Sequence, residues 1–279
     1  MPGPPPSSCN NISIKLSIKH EAPVPGREPR PPMILRLIRV ILHLITALWT
    51  CAVIFPFIDS RGRSWRKRHW SGQLLDLCRV TLTVERRGEA ESDAHALAIC
   101  NHISWLDIFV INSMQPSDFV AKSDIRDWPL IGWLCSATGT IFIARGRMRD
   151  VRRIFENLVE GLKRGEHIAF FPEGTTASQG AILPFHANLF EAAVDAGVPV
   201  RPYALRYRDA KGNYHPGVDF VGDMTFAESM LAILCGEPIH AELIVLPLIG
   251  STGMHRRELA QAAHDAVAAA LGQNPARPE

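Results

Sequence analysis

The sequence predicts an α/β protein: a central mixed sheet flanked by helices, preceded by an N-terminal membrane-associated helical segment. Three observations lead there. From about Val80 onward, short apolar runs of strand length alternate with stretches of helical period. A long apolar stretch, Met33 to Ile58, precedes them. A basic cluster, RGRSWRKRH from Arg61 to His69, follows that stretch directly.

Taken in order, residues 1–32 are rich in Pro, Ser and Gly and are expected to form an unstructured tail. A secretory signal would need its apolar run nearer the start. Residues 33–79 form the membrane-associated segment. Val40 to Phe57 carries no formal charge when His43 is neutral, close to the roughly 20 residues that span a bilayer. His43, Thr46, Thr50 and Pro56 interrupt a clean span, so a helix lying in one leaflet with Trp49 at the interface is the alternative. A helix buried in the globular core is a third reading. Residues 64–79 predict a second, amphipathic helix with a basic first turn.

The α/β domain covers residues 80–272, with a short tail at 273–279. Strands are predicted at Val80–Glu85, Ala94–Cys100, Phe119–Lys122, Gly139–Ile143, His167–Phe171, Val198–Arg206 and Ile239–Leu246. Helices are predicted around 104–114, 150–164, 184–196, 225–235 and 253–271.

At 279 residues and 47% hydrophobic content the chain can bury one substantial core. A net charge of +2 is too small to indicate nucleic-acid binding. The basic cluster after the apolar stretch points to anionic lipid headgroups instead. The six cysteines are scattered without a C-x-x-C pair, so neither a zinc site nor a disulfide framework is indicated. The eleven histidines show no H-E-x-x-H pattern.

The chemistry-bearing block is Asn101-His102-Ile103-Ser104-Trp105-Leu106-Asp107, between a predicted strand and a predicted helix. In a continuous helix, His102 and Asp107 would sit about 140° apart. With His102 in the loop and Ser104 as N-cap, the Asp107 carboxylate can reach back to the imidazole. A histidine held in this way has a fixed tautomer and suits a general base. The alternative is that Ser104-x-x-Asp107 is only a capping box.

Further blocks follow other strands. Phe171-Pro172-Glu173-Gly174-Thr175-Thr176 offers a glycine for unusual backbone geometry and amides that can meet an anion. Gly139 to Arg145 ends a strand with a guanidinium, and Val198-Pro199-Val200-Arg201-Pro202 opens another.

These blocks, in this order, resemble the 1-acyl-sn-glycerol-3-phosphate acyltransferase family over roughly residues 80–210. The resemblance implies an acyl-CoA or acyl-carrier-protein thioester as donor, a lysolipid hydroxyl as acceptor, first of all that of 1-acyl-sn-glycerol-3-phosphate to give phosphatidic acid, and neither cofactor nor metal. It implies His102 and Asp107 as the catalytic pair, and Arg145, Glu173, Gly174 and Thr175 as acceptor-binding residues. It also implies a place at the cytoplasmic membrane with the site facing the cytosol. The chain departs from the pattern twice. Many lysophosphatidate-specific members have arginine at the position of Thr176 and lysine at that of His186. Loss of both cations makes a lyso-ornithine lipid the alternative acceptor. Activation of water by the same pair would give a thioesterase or lipid hydrolase, and a relic site would leave a lipid-binding protein.

Overall fold

In the computed structural model the seven runs read as strands join one further strand in a sheet of eight among the described residues. Described are residues 14–16, 32–88, 95–143 and 148–273. The strands are β1 (Ile14–Leu16), β2 (Val80–Arg86), β3 (Leu97–Cys100), β4 (Asp118–Lys122), β5 (Ile141–Ile143), β6 (Ile168–Phe170), β7 (Val200–Arg208) and β8 (Ile239–Val245). Their order is β1-β2-β8-β7-β3-β6-β4-β5. From β7 to β5 all neighbours are parallel, while β8 runs antiparallel to β7, so the sheet is mixed as expected.

The central strands are apolar on both faces because both faces are covered. All residues of β3 and β6 are buried, as are the first six of β7. On one face lie α1 (Met33–Trp49), α2 (Ser60–Leu77), α3 (Leu106–Met114) and α7 (Phe226–Cys235), meeting the sheet through Val40, Leu74, Val110 and Ile233. On the other lie α5 (Met148–Lys163), α6 (Glu191–Ala196) and α8 (Arg256–Ala270), contributing Leu158, Ala192 and Val267. The result is three layers with the sheet in the middle.

Several elements differ from the sequence expectation. Ile14–Leu16 pairs antiparallel with β2, inside the stretch read as unstructured; the rest of 1–31 lies outside the described residues. A short helix, α4 (Ile131–Ala137), and a 3-10 turn at Ser123–Asp127 were not anticipated. Pro129 and Gly132 within so short a stretch break any helical period. Gly132 is required there, because a Cβ would lie 2.0 Å from the Arg126 carbonyl oxygen. The helix expected at 184–196 splits into a 3-10 turn, Ala187–Phe190, followed by α6. Near Pro56, α1 loosens into a π turn (Thr50–Ile54) and a 3-10 turn (Phe55–Phe57).

α2 is fastened to the sheet by one cation. The Lys67 ammonium donates to Asp118 Oδ1 at 2.7 Å and to the carbonyls of Ser117 and Thr138 at 3.2 and 3.1 Å. Since α2 packs along α3, this fixes the helix that begins beside His102. Replacing Lys67 with Met leaves three acceptors without their donor. We expect urea denaturation to show a loss of about 1–3 kcal/mol, with little change in helix content by circular dichroism.

Candidate active site

The parallel strands β3, β6, β4 and β5 deliver their carboxyl ends to one edge of the sheet, the usual place for a site in such folds. At the end of β3 the chain must leave the ladder without stranding polar groups. Asn101 solves this by acting as a substitute peptide unit. Its side-chain amide donates to the Leu205 carbonyl at 3.0 Å and accepts from the Leu205 amide at 2.8 Å.

His102 lies in the loop and Asp107 in the first turn of α3, fully buried. Asp107 Oδ2 accepts from His102 Nδ1 at 2.7 Å, from the Ile103 amide at 2.7 Å and from the Ser104 amide at 3.0 Å. Its other oxygen accepts from the Tyr207 hydroxyl at 2.7 Å. The two readings of the Ser104-x-x-Asp107 turn are therefore one arrangement: the carboxylate caps the turn and holds the imidazole together. Ser104 does not cap through its side chain. Its Oγ is buried and has no hydrogen-bond partner among the described residues. A carboxylate oxygen only accepts, so Nδ1 of the neutral ring carries the proton and Nε2 the lone pair.

The ring plane is set by Phe171, stacked at 3.9 Å and 9°, which in turn stacks on Phe119. The His102 side chain is 19% exposed, so the ring edge is reachable while its carboxylate is not. Neighbouring loops close in through the backbone. The Ala177 amide donates to the His102 carbonyl and the Phe220 amide to the Ile103 carbonyl. The Thr176 hydroxyl donates to the Phe220 carbonyl.

Glu173, expected among the acceptor-binding residues, has contacts of another kind. Its two oxygens accept from the amides of His102 (2.7 Å) and Leu183 (2.8 Å), and it is 3% exposed. Through the first of these bonds it braces the histidine loop. Burial pushes its pKa up, opposed by those two amide bonds. Gly174 adopts φ +67° and is exposed, with a would-be Cβ 3.1 Å from the His186 ring. Thr175 is exposed beside it. Arg145 lies outside the described residues; β5, which precedes it, ends at Ile143 on the same sheet edge.

Burial, then the charges of Asp107 and Glu173, push the Cys100 thiol well above its usual pKa, so it is no thiolate nucleophile. Among the described residues no His, Cys, Asp and Glu cluster suits a metal. A cleft lined by Arg86, Ala98, His167 and Arg201 opens at the amino-terminal ends of the parallel strands, away from His102.

The Acyltransferase family model matches residues 81–206, and the chain belongs to this family. A lyso-ornithine lipid O-acyltransferase of Pseudomonas aeruginosa is 37% identical over 207 residues, covering 74% of this chain and 79% of that protein. A 1-acyl-sn-glycerol-3-phosphate acyltransferase of Neisseria gonorrhoeae is 46% identical over 116 residues, 42% of this chain and 46% of that one. The crystal structure of the 1-acyl-sn-glycerophosphate acyltransferase PlsC from Thermotoga maritima shares the fold. Its TM-score is 0.57 at 20% identity, over 88% of this chain and 99% of that one.

Sequence reasoning did not single out Tyr207, and it assigned Phe171 no role beyond a motif match. A tyrosine just past a strand-like run gives no local signal of its partner 100 positions away. The brace can be tested directly. In Glu173→Gln the side chain can accept from only one of the His102 and Leu183 amides and sets an NH2 group against the other, so the brace is broken and kcat should fall about tenfold or more. The KM for acceptor should change by less than about twofold.

Proposed function

We propose that this protein transfers a fatty acyl group from a thioester to the free hydroxyl of a lysolipid, with His102 as general base. The observation that most supports this is the 2.7 Å bond from His102 Nδ1 to the buried Asp107 carboxylate. It leaves Nε2 basic and fixes the ring in one orientation. Nε2 takes the hydroxyl proton as the oxygen attacks the thioester carbonyl, and Asp107 stabilises the imidazolium. Collapse of the tetrahedral intermediate expels the thiolate, which receives that proton. Ser104 makes no hydrogen bond to His102, in keeping with direct transfer and no acyl-serine intermediate. The donor is acyl-CoA or an acyl-carrier protein, and the site faces the cytosol, where these thioesters are found.

For the acceptor we favour a lyso-ornithine lipid. The relatives from Pseudomonas aeruginosa and Rhizobium meliloti that carry this name match 74% and 71% of the chain. Thr176 engages the Phe220 carbonyl, and His186 stands beside Gly174, where a phosphate site would want fixed cations. An ornithine headgroup pairs a carboxylate with an ammonium and makes a weaker demand for them. The second reading, lysophosphatidate, draws on the 46% identity to the Neisseria gonorrhoeae relative over 116 residues.

The apolar segment suits attachment in the plane of the membrane. Within Met33–Phe57 an 18-residue window reaches a mean hydropathy of 2.1. One seam, Val40, Ala47, Cys51 and Phe55, packs inward, while Ile34, Ile38, Ile41, Ile45, Trp49 and Val53 form an exposed stripe. The inward seam is tied along its length. Arg36 donates to the Leu234 carbonyl of α7, and His43 stacks on Trp70 of α2 at 4.4 Å. A helix so docked on a folded domain lies in one leaflet with its free stripe in lipid, and the Arg61–His69 cluster meets the headgroups.

Purified protein in detergent, given a thioester and a panel of lysolipids, should form ester product fastest with lyso-ornithine lipid. Faster turnover of lysophosphatidate would reverse the choice of acceptor, and free fatty acid without ester would indicate a hydrolase. His102→Ala should lower kcat by about 10²–10⁴-fold in a folded variant. For the membrane, Ile38→Glu combined with Ile45→Glu should weaken vesicle binding by at least about tenfold, each side chain contributing about 1.5–3 kcal/mol. Unchanged turnover on detergent-dispersed substrate would show that the site is intact.

A further inference from the structure

We infer that Tyr207 is a positioning residue for the reaction, holding the Asp107 carboxylate in the rotamer that orients His102. The inference rests on the general-base reading above. Asp107 Oδ2 is shared by three donors from the loop, His102 Nδ1 and the amides of Ile103 and Ser104. Those donors all bond the same oxygen. They settle where Oδ2 sits, but not the tilt of the group about the bond that joins it to the side chain. The Tyr207 hydroxyl, 2.7 Å from Oδ1, supplies the contact to the other oxygen.

Tyr207 is well placed for this. It is fully buried on β7, the strand that pairs with β3, so its hydroxyl is referred to the same sheet that carries His102. Its backbone is held as well: the Tyr207 amide donates to Gln179 Oε1 at 2.7 Å, and the Tyr207 carbonyl accepts from the His215 amide at 3.0 Å. Burial and the neighbouring Asp107 charge keep the phenol protonated far above ordinary working pH, so it acts only as a donor toward the carboxylate. The other titratable groups facing Asp107 are His102, Cys100 and Glu173. Cys100 stays a neutral thiol, and Glu173 is bonded to backbone amides, so neither can replace the hydroxyl.

Removing the hydroxyl has a consequence that loss of packing alone does not. The hydrogen bond from Tyr207 draws carboxylate charge toward Oδ1. Without it more charge remains on Oδ2, which steadies the imidazolium, and the base must be deprotonated before it can work. Tyr207→Phe keeps the ring and its volume. Its kcat should fall about tenfold with KM for donor and acceptor within about twofold. The acid limb of the kcat/KM profile, followed from about pH 5 to about pH 9, should move to higher pH by about 0.5 unit.

A second measurement does not depend on turnover. The low-field proton resonance of the His102 Nδ1–H, assigned by its absence in His102→Ala, should shift in Tyr207→Phe. An unmoved acid limb together with an unshifted resonance in a folded variant would overturn the role of Tyr207 and leave His102 as base intact. Near-normal activity of His102→Ala would sink the general-base reading itself. A resonance that shifts while the acid limb stays in place would also count against the proposal, because the contact would then not reach the chemistry.

Discussion

The site depends on one buried anion. Asp107 is fully buried in the first turn of α3, and taking a carboxylate out of water costs several kcal/mol. Four hydrogen bonds offset that cost, from His102, Ile103, Ser104 and Tyr207. Each hydrogen bond to a charged group contributes about 1.5–3 kcal/mol, so the full set is needed and no single donor would suffice. The same donors determine the shape of the loop. Because two of them are successive backbone amides, the chain between β3 and α3 has little freedom once the carboxylate is in place. Glu173 extends the pattern by one residue, so the amides of His102, Ile103 and Ser104 all end on buried carboxylates.

That arrangement explains why the sheet matters to chemistry. Residues from β3, β6 and β7 converge only because these strands are parallel neighbours with their carboxyl ends on one edge. Asn101 continues the β3–β7 pairing by one more step with its side chain, which puts His102 at a defined height above the sheet. Phe171, the first residue after β6, then supplies the surface on which the imidazole lies. A small slip of β6 against β3 would remove the ring's support while leaving the His–Asp bond untouched.

Much of this was legible in the sequence, and the remainder was hidden for definite reasons. The strands could be read because two covered faces demand unbroken apolar runs such as Leu97–Cys100 and Ile168–Phe170. The His102–Asp107 contact could be read because a loop of known length and a helix start restrict where the carboxylate can reach. α4 was illegible: its glycine answers a single close contact with Arg126, and its Pro-Leu-Ile-Gly stretch has no period to detect. The two amide bonds of Glu173 were illegible, because a carboxylate that serves two amides looks the same in sequence as one facing solvent. Tyr207 was hidden most completely. Its partner is fixed by sheet pairing and not by spacing, and local pattern carries no trace of it.

Attachment to lipid and assembly of the site are joined by a short physical chain. α1 presents apolar side chains on two faces, and only one of them finds protein. That inner face rests on α2 through the His43–Trp70 stack, reinforced by Trp70 Nε1 donating to the His43 carbonyl at 3.0 Å. α2 packs along α3, whose first turn carries Asp107, and Trp70 itself meets Phe109 of α3 at 5.6 Å. Rigid packing transmits position, because side chains at interior density cannot shift independently. α1, the helix proposed to meet the bilayer, therefore also bears on the height and tilt of the helix that holds the carboxylate. On the proposed reading, an amphiphilic acceptor held in the leaflet and a base fixed above the sheet would be placed by the same set of contacts.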